Sequence, residues 1–546
     1  MNTSFAAFLL RIYRTHDCRR NIFYPSVSVH AKGYAGANYL FGFFSILTDL
    51  SGVCLPAGIC IMQRTKKGRI IMLDISNKRE CFFDDTLINQ ERTTAEFLLH
   101  HPIRKESVLL HDAPWEGDSC DYHNFFYDDG IYRMYYLGLS SSAPEKVVVC
   151  YAQSTDGLHW EKPELGICEY NGSAKNNIIV DSPMLFHTQI DNFMVFRDEN
   201  PSCTPDKKYK AVTRVEKDGK LGLHSMYSAD GIHFSYGELL TDIGLFDSLN
   251  VAFWDQHAAC YRCYCRGFHE VGNAGVSDSS EDNIRDIRYM ESPDFIHWTA
   301  PKMLDFGNHE DIALYTNVVQ PCPGAEHILI GFPTRYRYRR DWTGNYDELC
   351  GREKRLERMK TEPRFGMVVT DCAFITSRDG FHFKRYDEAF LRPGAEHEIN
   401  WVYGDCYPAR GFVKTPSDIE GADDELSMFC PEGQWWDKPA QLIRYTIRYG
   451  GFVSMHSGAK EKMLVTKPFV FDGEDLYINF ETSALGYLYF TLTDENGIRY
   501  ESCETFGDKT DRRVAFEEDV VKKLSGKPVT LEVRMRDADL YSIMFR

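Results

Sequence analysis

The chain has 546 residues, 43% of them hydrophobic and 26% charged, with a mean hydropathy of -0.38. That is the balance of a globular protein large enough for two to four domains, or for one large β-domain with an appendage, and it excludes a disordered chain and a polytopic membrane protein. The 62 Lys and Arg against 80 Asp and Glu leave a net charge of -18, a field that repels phosphate backbones and excludes nucleic acid as a general partner.

The first 71 residues differ from the rest. They hold nine Lys and Arg but only two acids, Asp17 and Asp49, for a charge of +7, whereas residues 72–546 carry -25. Such an asymmetry marks a boundary. The apolar stretch from Tyr39 to Met62 is interrupted by Asp49, Ser51-Gly52 and Pro56-Ala57-Gly58, so no membrane helix is expected there. Arg11, Arg14, Arg19 and Arg20 follow the apolar run Phe5 to Leu10, the reverse of a signal peptide. Residues 1–71 are therefore expected to be an atypical extension outside the core, with Met72 opening an ordinary segment. The 17 cysteines are scattered singly, with no paired CxxC and no Cys/His spacing that suits zinc. They read as buried thiols of a reducing, cytoplasmic compartment, and neither a metal nor a cofactor is expected. Cys260, Cys263 and Cys265 lie in a Tyr-rich strand-like run, with Cys263 and Cys265 on one face.

From about Leu109 the text consists of short β-runs separated by Gly, Pro, Asn and Asp turns, rich in the aromatics that suit strands and sugar-stacking surfaces. One phrase recurs four times: Ser154-Thr-Asp-Gly-Leu-His-Trp160, Ser228-Ala-Asp-Gly-Ile-His-Phe234, Ser292-Pro-Asp-Phe-Ile-His-Trp298 and Ser377-Arg-Asp-Gly-Phe-His-Phe383. In each the Asp accepts backbone N–H bonds in a tight turn, Gly takes a positive φ, and the last aromatic packs between sheet layers. The third copy has Phe295 in the Gly position, so its turn is expected to differ. A hairpin unit repeating at this spacing predicts sheets arranged radially about an axis. Four phrases, with strand-like runs at Glu425 to Cys430 and Leu442 to Met455, give five blades. Helix periodicity is scarce, and Phe516 to Leu524 is its best instance. After Lys460 the phrase disappears and strands alternate strictly, as in Val529 to Arg536. The prediction is an all-β chain: a five-bladed β-propeller with a lead-in segment over 72–460, then a C-terminal β-sandwich over 461–546.

Innermost propeller strands line a central funnel, so acids at blade starts converge, and a glycosidase needs such convergence for its nucleophile or base and its proton donor. Blade one offers Glu116, Asp118 and Asp121, blade two Asp198, blade three Asp247, and blade four Glu310 and Asp311. Any one of them could be a solvated loop acid or a turn cap. Platforms and forked donors for a sugar are available in Trp115, Trp254 and Trp401 and in Arg266, Arg285 and Arg335. The run Tyr336-Arg-Tyr-Arg-Arg340 reads as a strand or loop with a solvated Arg face.

With these residues in place the chain resembles the five-bladed propeller glycoside hydrolases of family 32 and its relative family 43, over about residues 72–546. Asp121 stands nine residues before Gly130 and eleven before Tyr132, much as the family nucleophile precedes its Gly and Tyr. Asp198, in Arg-Asp-Glu-Asn-Pro, and Asp247, before Val251 to Trp254, both look like the acid that stabilises the transition state, and the ending Asp539 to Phe545 resembles the family's sandwich. The Asn-Asp-Pro-Asn-Gly signature and the Glu-Cys pair of the family are absent. This marks a divergent branch in which Trp115-Glu116-Gly117 competes with Asp121 for importance. The resemblance implies hydrolysis of furanosidic oligosaccharides, fructosyl or arabinosyl, with a carbohydrate substrate and neither nucleic acid nor membrane as partner. Two other readings stand beside it: a glycoside phosphorylase, with Arg266, Arg335 and Arg340 gathered on phosphate, and a non-catalytic carbohydrate-binding propeller.

Overall fold

The computed structural model describes residues 61–65, 68–140, 143, 146–271, 283–398, 400–517 and 519–546. The expectations for residues 1–60 lie outside them. Among the described residues no helix is long and apolar enough to cross a membrane.

The protein is nearly all β, and its centre is a five-bladed propeller. Blade one comprises Ser119–Asp128, Ile131–Leu139, Val148–Ser154 and Ile178–Val180. Blade two comprises Met194–Arg197, Tyr209–Lys217, Lys220–Ser228 and Ser235–Thr241, and blade three Val251–Asp255, Cys260–His269, Ile284–Ser292 and Lys302–Met303. Blade four comprises Gln320–Cys322, Ala325–Gly331, Val368–Ser377 and Lys384–Leu391, with Thr334–Tyr338 added along the first half of Val368–Ser377. Blade five is built from Val413–Thr415, Glu425–Glu432 and Ala440–Arg448. Its fourth strand is Ile103–His111, from the other end of the propeller sequence, with Ala440 opposite His111 and Thr446 opposite Ile103. An added strand thus closes the ring and removes an open sheet edge.

The four phrases occupy one structural position, the turn from the third to the fourth strand, with the same bonds each time. In blade one Asp156 Oδ1 accepts the N–H of Leu158 and of His159 at 2.8 Å, Ser154 Oγ accepts that of Gly157 at 2.8 Å, and His159 Nδ1 meets Asp156 Oδ2 at 2.6 Å. Asp230, Asp294 and Asp379 repeat the arrangement. The expectation of a different third turn is therefore corrected: Phe295 adopts φ 68° and donates to Ser292 Oγ at 2.9 Å, as a glycine would.

The reason lies in the preceding blade. Tyr135 Oη donates to the carbonyl of Gly231 at 2.9 Å and Tyr264 Oη to that of Gly380 at 2.8 Å, so a side chain at either glycine would strike a tyrosine. In blade two the register position of those tyrosines is held by Val212. There the ring of Phe295 is fully buried, against Phe196, Tyr227, Tyr261 and Trp298. Burial of a phenyl ring offsets the roughly 1–2 kcal/mol cost of a left-handed backbone.

Beyond the propeller, Leu476–Asp494 and Val529–Phe545 pair antiparallel from Leu476 opposite Phe545 to Asp494 opposite Val529. They anchor an eleven-stranded sheet. As the alternation predicts, Val529, Leu531, Val533 and Met535 face its core. Gly68–Ser76, Glu80–Cys81, Glu96–Leu99 and Val453–Ser457 also join this sheet, so residue 71 falls inside a strand and the sheet begins before residue 460. Arg378 of blade four ties the lead-in to the propeller, bonding Glu80 at 2.7 Å and Asp84 at 2.8 Å. The short helices Gly344–Glu348, Arg352–Arg358 and Arg364–Met367 interrupt blade four and were not anticipated; the expected C-terminal helix is found at Val520–Leu524.

Candidate functional site

Four buried asparagines fix the starts of innermost strands, three by bonding to the neighbouring blade and the fourth, Asn250, within its own. Asn124 Nδ2 donates to the carbonyl of Phe193 at 3.0 Å, Asn192 to Phe246 at 2.5 Å, and Asn317 to Leu249 at 3.2 Å, while Asn250 accepts the N–H of Arg266 at 3.0 Å. An amide suits this task because it donates and accepts in one plane and carries no charge to desolvate. The chain approaching these asparagines brings Asp121, Asp191, Asp247 and Tyr315 to one end of the propeller.

Tyrosines form the floor. Tyr122 stacks on Tyr407 with ring centres 6.4 Å apart, Tyr407 on Tyr315 at 5.4 Å and Tyr315 on Tyr336 at 5.7 Å, and the hydroxyls of Tyr403 and Tyr315 meet at 2.8 Å.

Blades two and three carry equivalent ion pairs. Arg214 and Arg266 share a register position on their second strands, two residues beyond Val212 and Tyr264. Arg214 pairs with Asp191, and Arg266 with Asp247 at 3.2 Å. Arg266 also lies 4.2 Å from the centre of the Tyr315 ring. The Asp247 side chain is 40% exposed and that of Asp191 19%. Burial raises the pKa of Asp191, Arg214 opposes the rise, and the nearby charge of Asp247 adds to it.

Asp121 is the third acid of this end. Its Oδ1 has no hydrogen-bond partner and is shut off from solvent. Its Oδ2 lies 3.1 Å from Ser119 Oγ, which also bonds Gln434 Oε1, and Gln434 Nε2 donates to the Cys120 carbonyl at 2.8 Å. Since the serine has a single hydrogen for two acceptors, both contacts are satisfied only when Asp121 carries a proton and donates it to Ser119. Burial, opposed by Ser119, pushes the Asp121 pKa up to about 7.

The remaining expected residues divide into two groups. Glu116 is fully buried, with Oε1 on Tyr136 Oη at 2.6 Å and Oε2 on Lys162 Nζ at 2.9 Å, and Trp115 donates to Asn177 Oδ1 at 2.7 Å inside blade one. Asp198 lies at the opposite end of its innermost strand, ion-paired to Lys210 and bonded by Tyr261 Oη at 2.7 Å, and Trp254 packs edge-on against that same Tyr261 at 4.9 Å. The structure does not bring these four to the funnel: Glu116 and Trp115 are taken up by partners of blade one, Asp198 is separated from the funnel end of its strand by Met194–Arg197, and Trp254 lies with it against Tyr261. Glu310, Asp311, Arg285, Arg335 and Trp401 instead line a cavity of about 1430 Å³ between blades three and four, beside Tyr336. There Asp311 meets His269 Nε2 at 3.0 Å, and His269 Nδ1 meets Asp286 at 2.8 Å. The carbonyl of Asp118 accepts the N–H of Trp435 at 2.7 Å.

Asp191, Arg214, Tyr403, Tyr407 and the arginines of the blade-four helices escaped the sequence reading. Asp191-Asn192 ahead of an apolar run was the available signal for the first of these. Arg358 and Arg364 reach the funnel end from the helices, Arg358 lying 5.2 Å from the Trp435 ring and Arg364 5.8 Å from that of Tyr403.

In sequence, no family model and no curated protein matches the chain. Among solved structures it is similar to a β-fructofuranosidase from Schwanniomyces occidentalis complexed with fructosyl-erythritol, at 12% identity and a TM-score of 0.36 over 84% of this chain and 98% of that one. The family 32 β-fructofuranosidase of Bombyx mori is similar at 10% identity and a TM-score of 0.36 over 82% and 94%. A structure from the family 130 mannoside phosphorylases, described as containing hydrolases of β-1,2 mannosidic linkages in Candida mannan, gives 10% identity and a TM-score of 0.36 over 65% and 96%.

Proposed function

We propose that this protein is a glycosidase acting at the centre of the propeller on a furanosidic oligosaccharide, fructosyl or arabinosyl. The observation that supports it is the pair Asp191 and Asp247: two carboxyl groups at the starts of adjacent blades, each held by its own arginine and near enough for one charge to act on the other. Glycosidic cleavage needs one carboxyl group that holds a proton and one that does not. Asp191, the more buried and the one with the raised pKa, is the proton donor to the leaving oxygen. Asp247, open to the funnel, is the nucleophile or base, while Asp121, closed off from solvent and holding a proton against Ser119, takes no charge-stabilising part. The tyrosine floor offers an apolar face to the sugar ring.

Hydrolysis is preferred to phosphorolysis at this acid pair. Of Arg266, Arg335 and Arg340, which the phosphorylase reading gathers on phosphate, Arg266, the one beside the acids, is neutralised by Asp247, and Arg335 is held by Asp371 through two bonds of 2.5 Å. In the same reading, the C-terminal sheet folds over its apolar core as a β-sandwich that supports the propeller. A screen of product release from fructans, arabinans and aryl furanosides, with and without phosphate, tests the proposal. Phosphate-independent release that is lost in Asp247→Asn is the expected result, and release that needs phosphate, or that survives in this variant, refutes it.

A further inference from the structure

The cavity between blades three and four is lined by seven arginines against four carboxylates, in a chain whose net charge is -18. Arg335 is bound to Asp371, but Arg285, Arg337 and Arg364 have no carboxylate partner among the described residues. The Arg285 guanidinium lies 4.2 Å from the centre of the Tyr336 ring, and its Nε is shielded from solvent with no hydrogen-bond partner. Arg337 follows Tyr336 on Thr334–Tyr338 and is exposed. Arg364 stacks on Phe365 at 4.8 Å. Guanidinium groups that line one cavity, outnumber its carboxylates and are paired with none of them suit an oxyanion, which their planar forks can bind.

The size and walls of the cavity argue for more than a bare ion. Small-molecule sites run to about 300–1,000 Å³, and this cavity exceeds what an isolated oxyanion fills. Its wall also carries Tyr336 and Trp401, the indole of Trp401 fixed by a 2.9 Å bond from Nε1 to the Gly394 carbonyl. Aromatic faces beside unpaired guanidiniums match a sugar ring that bears an acidic group.

We propose that this cavity is a subsite for an acidic saccharide, with Arg285, Arg337 and Arg364 taking the carboxylate, sulfate or phosphate ester that it carries. The inference rests on the glycosidase reading and specifies its substrate class.

The test is isothermal titration of the full chain at low salt with glucose, glucuronic acid, glucose 6-phosphate and inorganic phosphate. Glucuronic acid and glucose 6-phosphate are expected to bind more tightly than glucose by roughly 10- to 100-fold, the value of hydrogen bonds to a charged group. That advantage should shrink with added salt and fall about tenfold in Arg285→Met and in Arg337→Ala. Arg337 is exposed, so its variant keeps the fold even where Arg285→Met does not. Equal binding of glucose, inorganic phosphate binding as tightly as glucose 6-phosphate, or an unchanged advantage in Arg337→Ala would each overturn the proposal. Asp247→Asn should bind the acidic sugars as the parent does while losing turnover, so failure of the subsite and failure of the glycosidase reading give different patterns.

Discussion

Asp191 and Asp247 stand at the starts of adjacent blades, and the charge of Asp247 helps to hold the Asp191 pKa above the usual carboxylate range. The same fold element, an arginine two residues beyond the inter-blade contact on the second strand, positions both. Two carboxyl groups in unlike surroundings are the arrangement that separates a proton donor from a nucleophile or base.

This pairing predicts a coupled pH effect. With Asp191 as general acid, turnover falls as pH rises through its pKa, and Asp191→Asn costs roughly 10²–10⁴ in kcat. Asp247→Asn removes the charge that adds to the rise, so the Asp191 carboxyl itself should titrate at lower pH in that variant than in the parent, although its turnover is lost. A carbonyl-carbon NMR titration of Asp191 in the parent and in Asp247→Asn checks this; titrations that coincide mean that the two groups do not act together.

Asp121 makes a separate prediction about stability. Its folded pKa of about 7 lies above the unfolded value near 3.8, so the native state holds the extra proton and this group's contribution is lost as pH rises from about 4 to 7. Asp121→Asn removes a buried charge and should be more stable than the parent at pH 8, by on the order of 2–4 kcal/mol, with the gap closing toward pH 5. Chemical denaturation at the two pH values measures it.

Acid should act on the contact between blades five and one in the opposite sense. His111 Nε2 lies 3.0 Å from His123 Nε2, and its Nδ1 lies 3.1 Å from the Ala440 carbonyl. Burial holds the His111 pKa down at about 4. Its stabilising contribution is complete above the unfolded value near 6.5 and is lost as pH falls toward 4, on the order of 3 kcal/mol. His111→Gln should flatten the fall in melting temperature between pH 6.5 and 4.

The exchange of Gly for Phe in the third turn predicts a double-mutant cycle. Phe295→Gly relieves the backbone yet empties a buried site, for a net loss of roughly 2–4 kcal/mol. Val212→Tyr alone overpacks the same space by about 1–3 kcal/mol. Together they rebuild the tyrosine–glycine pair of blades two and four, so the double variant should be more stable than the sum of the two by about 1 kcal/mol or more. Additive losses in denaturant titrations would show that the two positions do not share that space.

The turns were legible because their chemistry is local: Ser154, Asp156 and Gly157 satisfy one another within four residues. The number of blades followed. The acids were harder, since the end of an innermost strand at which a carboxylate sits depends on strand length and direction. Asp198 and Asp191 are seven residues apart, yet one is bound to Lys210 at one end of the strand and the other is coupled to Asp247 at the other. Glu116 looked free in a polar run, but Tyr136 and Lys162, twenty and forty-six residues away, enclose it. Local pattern carries no information about such distant partners.

Closure of blade five by Ile103–His111 has a consequence for how the chain is made. His111 and its partner Ala440 are 329 residues apart. At synthesis rates of about 5–20 residues per second, the nascent strand waits roughly 20–70 s before its pairing edge exists. The ring can be completed only when nearly the whole propeller has left the ribosome, and contacts of such separation make folding slow. During that wait Ile103–His111 is an unpaired edge, and its first half carries Arg104, Lys105 and Glu106, consecutive charges of the kind that discourage a strand from pairing with a neighbouring nascent chain.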